Sequence, residues 1–261
     1  MFRLLKIEWL KVKNYKAFWV FLALFVLGLL SINFLVYYIQ VTFKQESKMP
    51  IEFFPYSYPS IWQTIGWISS WLLYFPGMLM ILLITNEFNY RTHRQNIIDG
   101  VERNDFIKVK ILVAVILAVL ATIIGFFNVI IFGAVHGSSF SVEGSRFLFY
   151  TFIQNLNYIL LAMLLGFLLR KSGLAIIIFF LFGLIFEQIL WGLVDGKILN
   201  KAVTLYYFPL QSSDVLVGPP KFFGMNMYGT PPAEWILVLV SCFYICLYIF
   251  LTLRKFKKED L

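Results

Sequence analysis

The stretch Glu87-Phe88-Asn89-Tyr90-Arg91-Thr92-His93-Arg94-Gln95-Asn96-Ile97-Ile98-Asp99-Gly100 is a compact polar block wedged between two long apolar runs. The guanidinium groups of Arg91 and Arg94 and the amide of Gln95 are suited to directed, charge-assisted contacts, whereas Ile97 and Ile98 are awkward in water unless a partner or a bilayer covers them. Asn89 or Thr92 is placed to cap a helix that runs to Asp99 and stops at Gly100, a position that favours a left-handed residue. Asn104 and Asp105 can then cap the helix that follows. The chemistry on offer is recognition: a docking element for another protein, or an amphipathic linker whose basic residues meet lipid headgroups.

A second set of polar residues lies inside apolar runs. Glu187, with Gln188 beside it, sits where an ionisable side chain is costly unless it faces protein or water. It reads as part of a substrate path, an outer gate or a subunit seam, or else as a carboxylate that snorkels to the interface or is structurally hydrogen-bonded. Asn128, together with Gln154, Asn155 and Asn157, belongs either to the same region or to the polar contacts that hold membrane helices together.

Catalytic patterns are missing. There is no G-x-x-x-x-G-K-[ST] phosphate loop, so the chain is not expected to hydrolyse ATP, and no cofactor or metal is expected in it. His93 and His136 fall on opposite sides of the membrane and cannot share a metal. Cys242 and Cys246 share a helix face without further ligands and read as small packing residues. No Ser-His, paired Glu or His-Glu-x-x-His arrangement lies in a span, which argues against an intramembrane protease.

The elements that must position these residues are membrane helices. Hydrophobic residues make up 60% of the chain and charged ones only 14%, about half the share of a soluble domain. Crossing a hydrocarbon core of about 30 Å takes roughly 20 apolar residues as a helix. Six stretches reach that length, at 17–39, 67–86, 109–135, 148–169, 173–195 and 234–253. These are continuous runs, without the alternation of a β-barrel strand. The first is too long for a signal-peptide core and lacks a convincing small-residue cleavage site, so it reads as a retained span.

Sixteen Lys and Arg fall on the side that holds both termini and the Glu87 to Gly100 stretch, against six on the other. Both termini are therefore expected in the cytoplasm. The net charge of +8 is then a topology signal and an attraction to anionic lipid, and nucleic acid is not an expected partner. Ahead of the first span, Phe2, Leu5, Trp9 and Val12 share one side of a helix beside Arg3, Lys6 and Lys13, a pattern suited to the membrane interface. On the other side the connections 40–66 and 196–233 hold eight of the nine prolines. The segment Val203 to Leu210 is expected to pack at the interface or dip between helices. Pro76 should kink the second span.

With these residues in place, the chain resembles the permease subunits of ABC transporters of the type-2 export superfamily. The likeness rests on the topology and on the pattern E-x-x-x-R-T-x-R-Q-x-I-I-D-G-x-x-R-x-x-F-x-x-x-K, carried by Glu87, Arg91, Thr92, Arg94, Gln95, Ile97, Ile98, Asp99, Gly100, Arg103, Phe106 and Lys110. Glu102 departs from it, standing where many relatives have Ser or Thr. The resemblance implies that 91–100 is a coupling helix seated in a separate ABC ATPase subunit, which binds the ATP and magnesium. It also implies a second permease, identical or homologous, and a place in the bacterial cytoplasmic membrane. The resulting expectation is a single all-α integral membrane domain over 1–261, with six spans, an N-terminal interfacial helix and a cytoplasmic coupling helix, serving an ATP-driven exporter. Glu187, Gln188 and Asn128 are then the path or gate residues. The rival readings are a membrane anchor for an ATPase-driven envelope machine, and an ion-coupled secondary transporter using Glu187.

Overall fold

A computed structural model describes residues 2–46, 55–98, 100–199, 203–220 and 230–257, and among these every regular element is helical. In chain order they are α1 (Phe2–Lys13), α2 (Lys16–Glu46), α3 (Ser60–Ser70), α4 (Tyr74–Asn89), α5 (Thr92–Ile98), α6 (Arg103–His136), α7 (Arg146–Leu169), α8 (Ser172–Leu181), α9 (Glu187–Leu193), α10 (Gln211–Val217) and α11 (Glu234–Lys257). A π-helical turn, Phe182–Phe186, joins α8 to α9, and another, Val194–Leu199, extends α9. A 3-10 turn, Thr204–Tyr207, precedes α10.

Runs this apolar can satisfy their backbone in lipid only as helices. Five stretches are long and apolar enough to cross a membrane: Lys16–Thr42, Arg103–His136, Arg146–Leu169, Ser172–Lys197 and Glu234–Phe256. The pair α3 and α4, bent by 46°, supplies a sixth crossing if it is one broken span. The protein is an all-α, multi-pass membrane protein. At its centre stands α7, whose apolar stretch is 72% buried against 17% for α2 and 22% for α11. It packs on α3, α4, α6, α8, α10 and α11, which leaves α2, α8–α9 and α11 to show apolar side chains outward.

The bend comes a turn before Pro76. A proline ring crowds the carbonyl four residues back and offers that carbonyl no N–H. The affected carbonyl is that of Leu72, and the chain there tightens into short bonds, Leu72 N–H to Ser69 O at 2.9 Å and Phe75 N–H to Leu72 O at 3.0 Å. Helical structure also starts at Ser60, earlier than the expected 67. Gly77 makes the packing below the bend possible, because any Cβ there would run into the ring of Phe179.

One local expectation is corrected. Helix α6 begins at Arg103, so Asn104 and Asp105 lie in its first turn and cap nothing. Asp105 sits instead against the positive helix end and pairs with Lys108 at 3.0 Å. In α1, Glu8 and Val12 are buried and Lys11 partly so, while Trp9 is 53% exposed and Lys6 and Lys13 are exposed. The segment Val203 to Leu210 does fold inward, burying Leu205, Tyr206 and Leu210 against the spans.

Candidate functional site

One end of the bundle gathers most of the basic residues, and α5 crosses it. Asn89 ends α4, Tyr90 turns the chain, and Arg91 adopts a left-handed φ of 53°. The carbonyl of Arg91 then accepts the Arg94 N–H at 3.1 Å, so the helix starts from Arg91 and Thr92 is its first residue. Gly100 has φ 90° and the Val101 N–H returns to the Asn96 carbonyl at 3.0 Å, which is the closing bond of a glycine-terminated helix. Asp99 and the side chain of Ile97 lie outside the described residues. The side chains of Tyr90, Arg91, Arg94, Gln95 and Ile98 are exposed, Ile98 by 84%. Thr92 is partly buried, as is Arg103 just beyond the helix.

Beneath this surface lies a buried ion cluster. The Nζ of Lys110 on α6, with its side chain 2% exposed, donates to Glu87 Oε1 on α4 and to Glu8 Oε2 on α1, each at 2.5 Å. Lys11 on α1 donates to Glu87 Oε1 at 2.7 Å and to Glu8 Oε1 at 2.9 Å. Two cations and two anions therefore join the three helices that meet at the base of α5. Burial would raise the Glu8 carboxyl, but the charges of Lys110 and Lys11 outweigh it and hold the pKa below its usual 4.5. For Lys11 burial works downward, and Glu87 and Glu8 more than offset it, so its pKa lies above 10.5. Beside the cluster the guanidinium of Arg170, at the end of α7, lies 5.2 Å from the centre of the Phe88 ring. Phe256 of α11 stacks on Phe106 of α6 at 5.1 Å.

Glu87 thus belongs to the root of α5, whereas Arg91, Arg94, Gln95 and Ile98 belong to its surface. The sequence reading had no place for Glu8, and Lys11 entered it only as one of the basic flank. The available signal was that Glu8 is the lone acid in the first sixteen residues, one helical turn from Lys11.

Residues 4–191 match a family described as ABC-2 family transporter protein. The chain belongs to this family. The matched part of this ABC-2 protein runs from α1 into α9 and so contains the ion cluster, α5 and Glu187, while α10 and α11 lie beyond it. A search of curated proteins finds no match. Members of the ABC-2 family are membrane permease components of ABC transporters, and in general they work with an ABC ATPase.

At the far end of the ABC-2 permease the polar residues read from the sequence separate. Glu187 is fully buried below α10, and its Oε1 accepts the N–H of Leu210, the residue that opens α10, at 2.8 Å. Gln188 is exposed, its Oε1 accepts the Trp191 indole N–H at 2.9 Å, and it lines a cavity together with Asp214 and Gln211. Asn128 is buried on α6 and donates back to its own helix, to Ile124 O at 2.9 Å. The three do not converge. The neighbouring amides join helices: Asn155 donates to Thr122 of α6 at 2.9 Å, Asn157 to Pro209 O at 2.7 Å, and Gln154 to Asp214 of α10 at 2.8 Å. Asn157 and Gln154 pin the re-entering segment 203–220 onto α7, while Asn155 ties α7 to α6.

Proposed function

We propose that this ABC-2 permease is the membrane-spanning subunit of an ATP-driven exporter in the bacterial cytoplasmic membrane, with both termini in the cytoplasm. In this reading the exposed side of α5 seats in a separate ATPase subunit. Arg91, Arg94, Gln95 and Ile98 supply the exposed contact, and Thr92, Ile97, Asp99, Gly100 and Arg103 belong to the same coupling segment. Glu87 transmits the movement through Lys110, Glu8 and Lys11. The ATPase binds the nucleotide and magnesium, hydrolysis is not expected in this chain, and a second permease, identical or homologous, completes the path. Glu187 serves the path or gate as a latch on the outer segment, while Gln188 and Asn128 stand apart from it on the path side of their own helices.

The observation that carries this reading is the pairing of an exposed helix with a rigid buried root. An amphipathic linker resting on lipid needs no such root, because nothing pushes on it. A lever does, since force applied at Arg94 or Ile98 must reach α4, α6 and α1 together.

The test is purification of the tagged chain in mild detergent, with an ATPase assay and mass spectrometry of what accompanies it, beside an Arg94→Glu, Ile98→Asp variant. Both substitutions are at exposed positions, so the variant should be as abundant and as stable as the parent. An ABC ATPase accompanying the parent and lost from the variant is the expected result. An ATPase retained by the variant would refute the role of α5, and a stable parent without any ATPase would refute ATP-driven export.

A further inference from the structure

Between the bend of the α3–α4 pair, α7, the Phe182–Phe186 turn with α9, and α10 the protein holds a cavity of about 90 Å³, several times the space one water molecule needs. Its walls are the rings of Trp67, Trp71, Tyr74 and Tyr158, with the carboxylate of Asp214 and the amide of Gln211 between them. No Lys, Arg or His lines it. Asp214 is held in place by donors, Gln154 Nε2 at 2.8 Å and Tyr158 Oη at 2.9 Å, which is an arrangement that favours an anion. Gln211, 3% exposed, lines the same space with its Oε1 buried and without a partner. A buried carbonyl oxygen left without a donor is costly, and because this one is closed even to a water molecule, a rotation of the amide is needed before an occupant's donor reaches it.

From this geometry we infer that the cavity is a binding site for the ammonium group of an amphiphilic amine. Four aromatic residues around one carboxylate form surroundings that attract an organic cation through π-electron density and charge together. A metal ion is a poorer fit, because no cluster of three or more His, Cys, Asp or Glu exists among the described residues. The amphiphilic part follows from where the cavity opens. Helix α4 rises about 24 Å from the basic end at 1.5 Å per residue, which puts Trp71 within a hydrocarbon core of about 30 Å. Trp71 is 62% exposed and Leu184 47% exposed, so the lining of the cavity reaches the outer surface of the bundle at these two residues. A molecule that enters there keeps its chain in apolar surroundings while its amine reaches Asp214. Binding is a property of this chain alone, so it stands or falls apart from the coupling to an ATPase.

The experiment is calorimetric titration of the full chain in maltoside micelles with hexylammonium chloride and with hexanol, corrected against empty micelles. Saturable binding of hexylammonium, tighter than hexanol by about ten-fold or more, is expected for the parent. In Asp214→Asn the remaining oxygen still accepts from Gln154 or Tyr158 but the charge is gone, and the preference for the amine should disappear. A parent that binds both compounds equally, or neither, overturns the inference without reference to any variant. So does an Asp214→Asn protein that keeps the full preference. Should that variant fail to fold, Gln211→Leu removes the spare acceptor instead, and affinity for hexylammonium should fall while that for hexanol holds or rises; unchanged affinity for both would count against the site.

Discussion

Replacing Lys110 by Met should be far more damaging than replacing Lys11 by Met, although both lysines touch the same two carboxylates. Met has nearly the length and volume of Lys, so the change is chiefly one of charge. Lys110 is 2% exposed at its side chain and Lys11 is 34% exposed. Taking one partner from a buried ion pair costs about 3–5 kcal/mol, because the remaining charge stays buried without compensation. Here Lys11 remains within 2.9 Å of both Glu8 and Glu87 and absorbs part of the loss, which places Lys110→Met near the low end, about 3 kcal/mol. For the more solvated Lys11 the loss should be about 1 kcal/mol or less.

The sign of the effect can be separated from packing by a second change. If the cost of Lys110→Met is an uncompensated charge, then adding Glu87→Gln leaves a balanced Glu8–Lys11 pair and should recover more than half of the lost stability. If the cost is a packing defect, Glu87→Gln should add to it. Thermal midpoints in lipid nanodiscs for the four proteins decide this. Lys110→Met no less stable than Lys11→Met, or a double variant no better than the single, would refute the reasoning. The function provides an independent readout: an intact α5 surface should still retain the ATPase, while cargo-dependent stimulation of hydrolysis should remain impaired in the rescued double variant.

Other outcomes follow from the same contacts. Glu8 has a lowered pKa, so its contribution is present above about pH 4.5 and lost as pH falls through the folded value; Lys11 has a raised pKa, so its contribution is present below about pH 10.5 and lost above it. The thermal midpoint should therefore show no step from this cluster between those limits, and a step near neutrality that Lys11→Met abolishes would contradict the assignment. Gly77→Leu places a side chain where Phe179 already stands and should cost about 1–3 kcal/mol in thermal stability; an unchanged midpoint would show that α4 and α8 are not packed as described. Glu187→Gln keeps an acceptor for the Leu210 N–H, whereas Glu187→Leu leaves that donor unpaired at about 1–3 kcal/mol. Protease cleavage in 203–220 should rise only in the Leu variant, and equal cleavage in both would point to the charge, not the hydrogen bond, as what matters.

The spans were legible because their apolar runs are long and uninterrupted, and the stop at Gly100 because a left-handed position after a short polar helix has few solutions. The bend's presence was readable from Pro76, but the residues that absorb it were not, since those depend on which carbonyl the ring crowds and on packing below it. The ion cluster was only half visible. Lys110 and Glu87 stand at the ends of one motif, but no local pattern says that Glu8 and Lys11 of α1 meet them. In a membrane protein the apolar side of a helix can face lipid, as Trp9 and Leu10 do, and leave Glu8 and Lys11 to meet the protein. Asp214 escaped notice because α10 is short and sits in a loop, and no local pattern says that Tyr158 and Gln154 will converge on it.

Helix α6 and the α3–α4 pair differ in a way that fixes where movement at α5 must be absorbed. With 34 residues α6 is unbroken and about 51 Å long. It is held at the basic end by Lys110, in its middle by the Asn155 contact to Thr122, and toward the far end by Phe132 against Tyr56, with ring centres 5.3 Å apart. The other route from α5 runs through α4 to a joint at Trp71–Leu73, beside the aromatic cavity. Because both routes start from the same clamped root, a tilt of that root carries α6 as a rigid body while the α3–α4 pair can flex. The hypothesis is that the joint takes up the difference. Spin-label pairs reporting α3 to α6 and α4 to α6 distances, measured with and without nucleotide in the presence of the ATPase, test it. The α3 to α6 distance should change by several ångströms and the α4 to α6 distance by little. Equal changes in the two would mean that the bent pair moves as one piece, and the joint would then be a fixed feature of packing with no part in transmission.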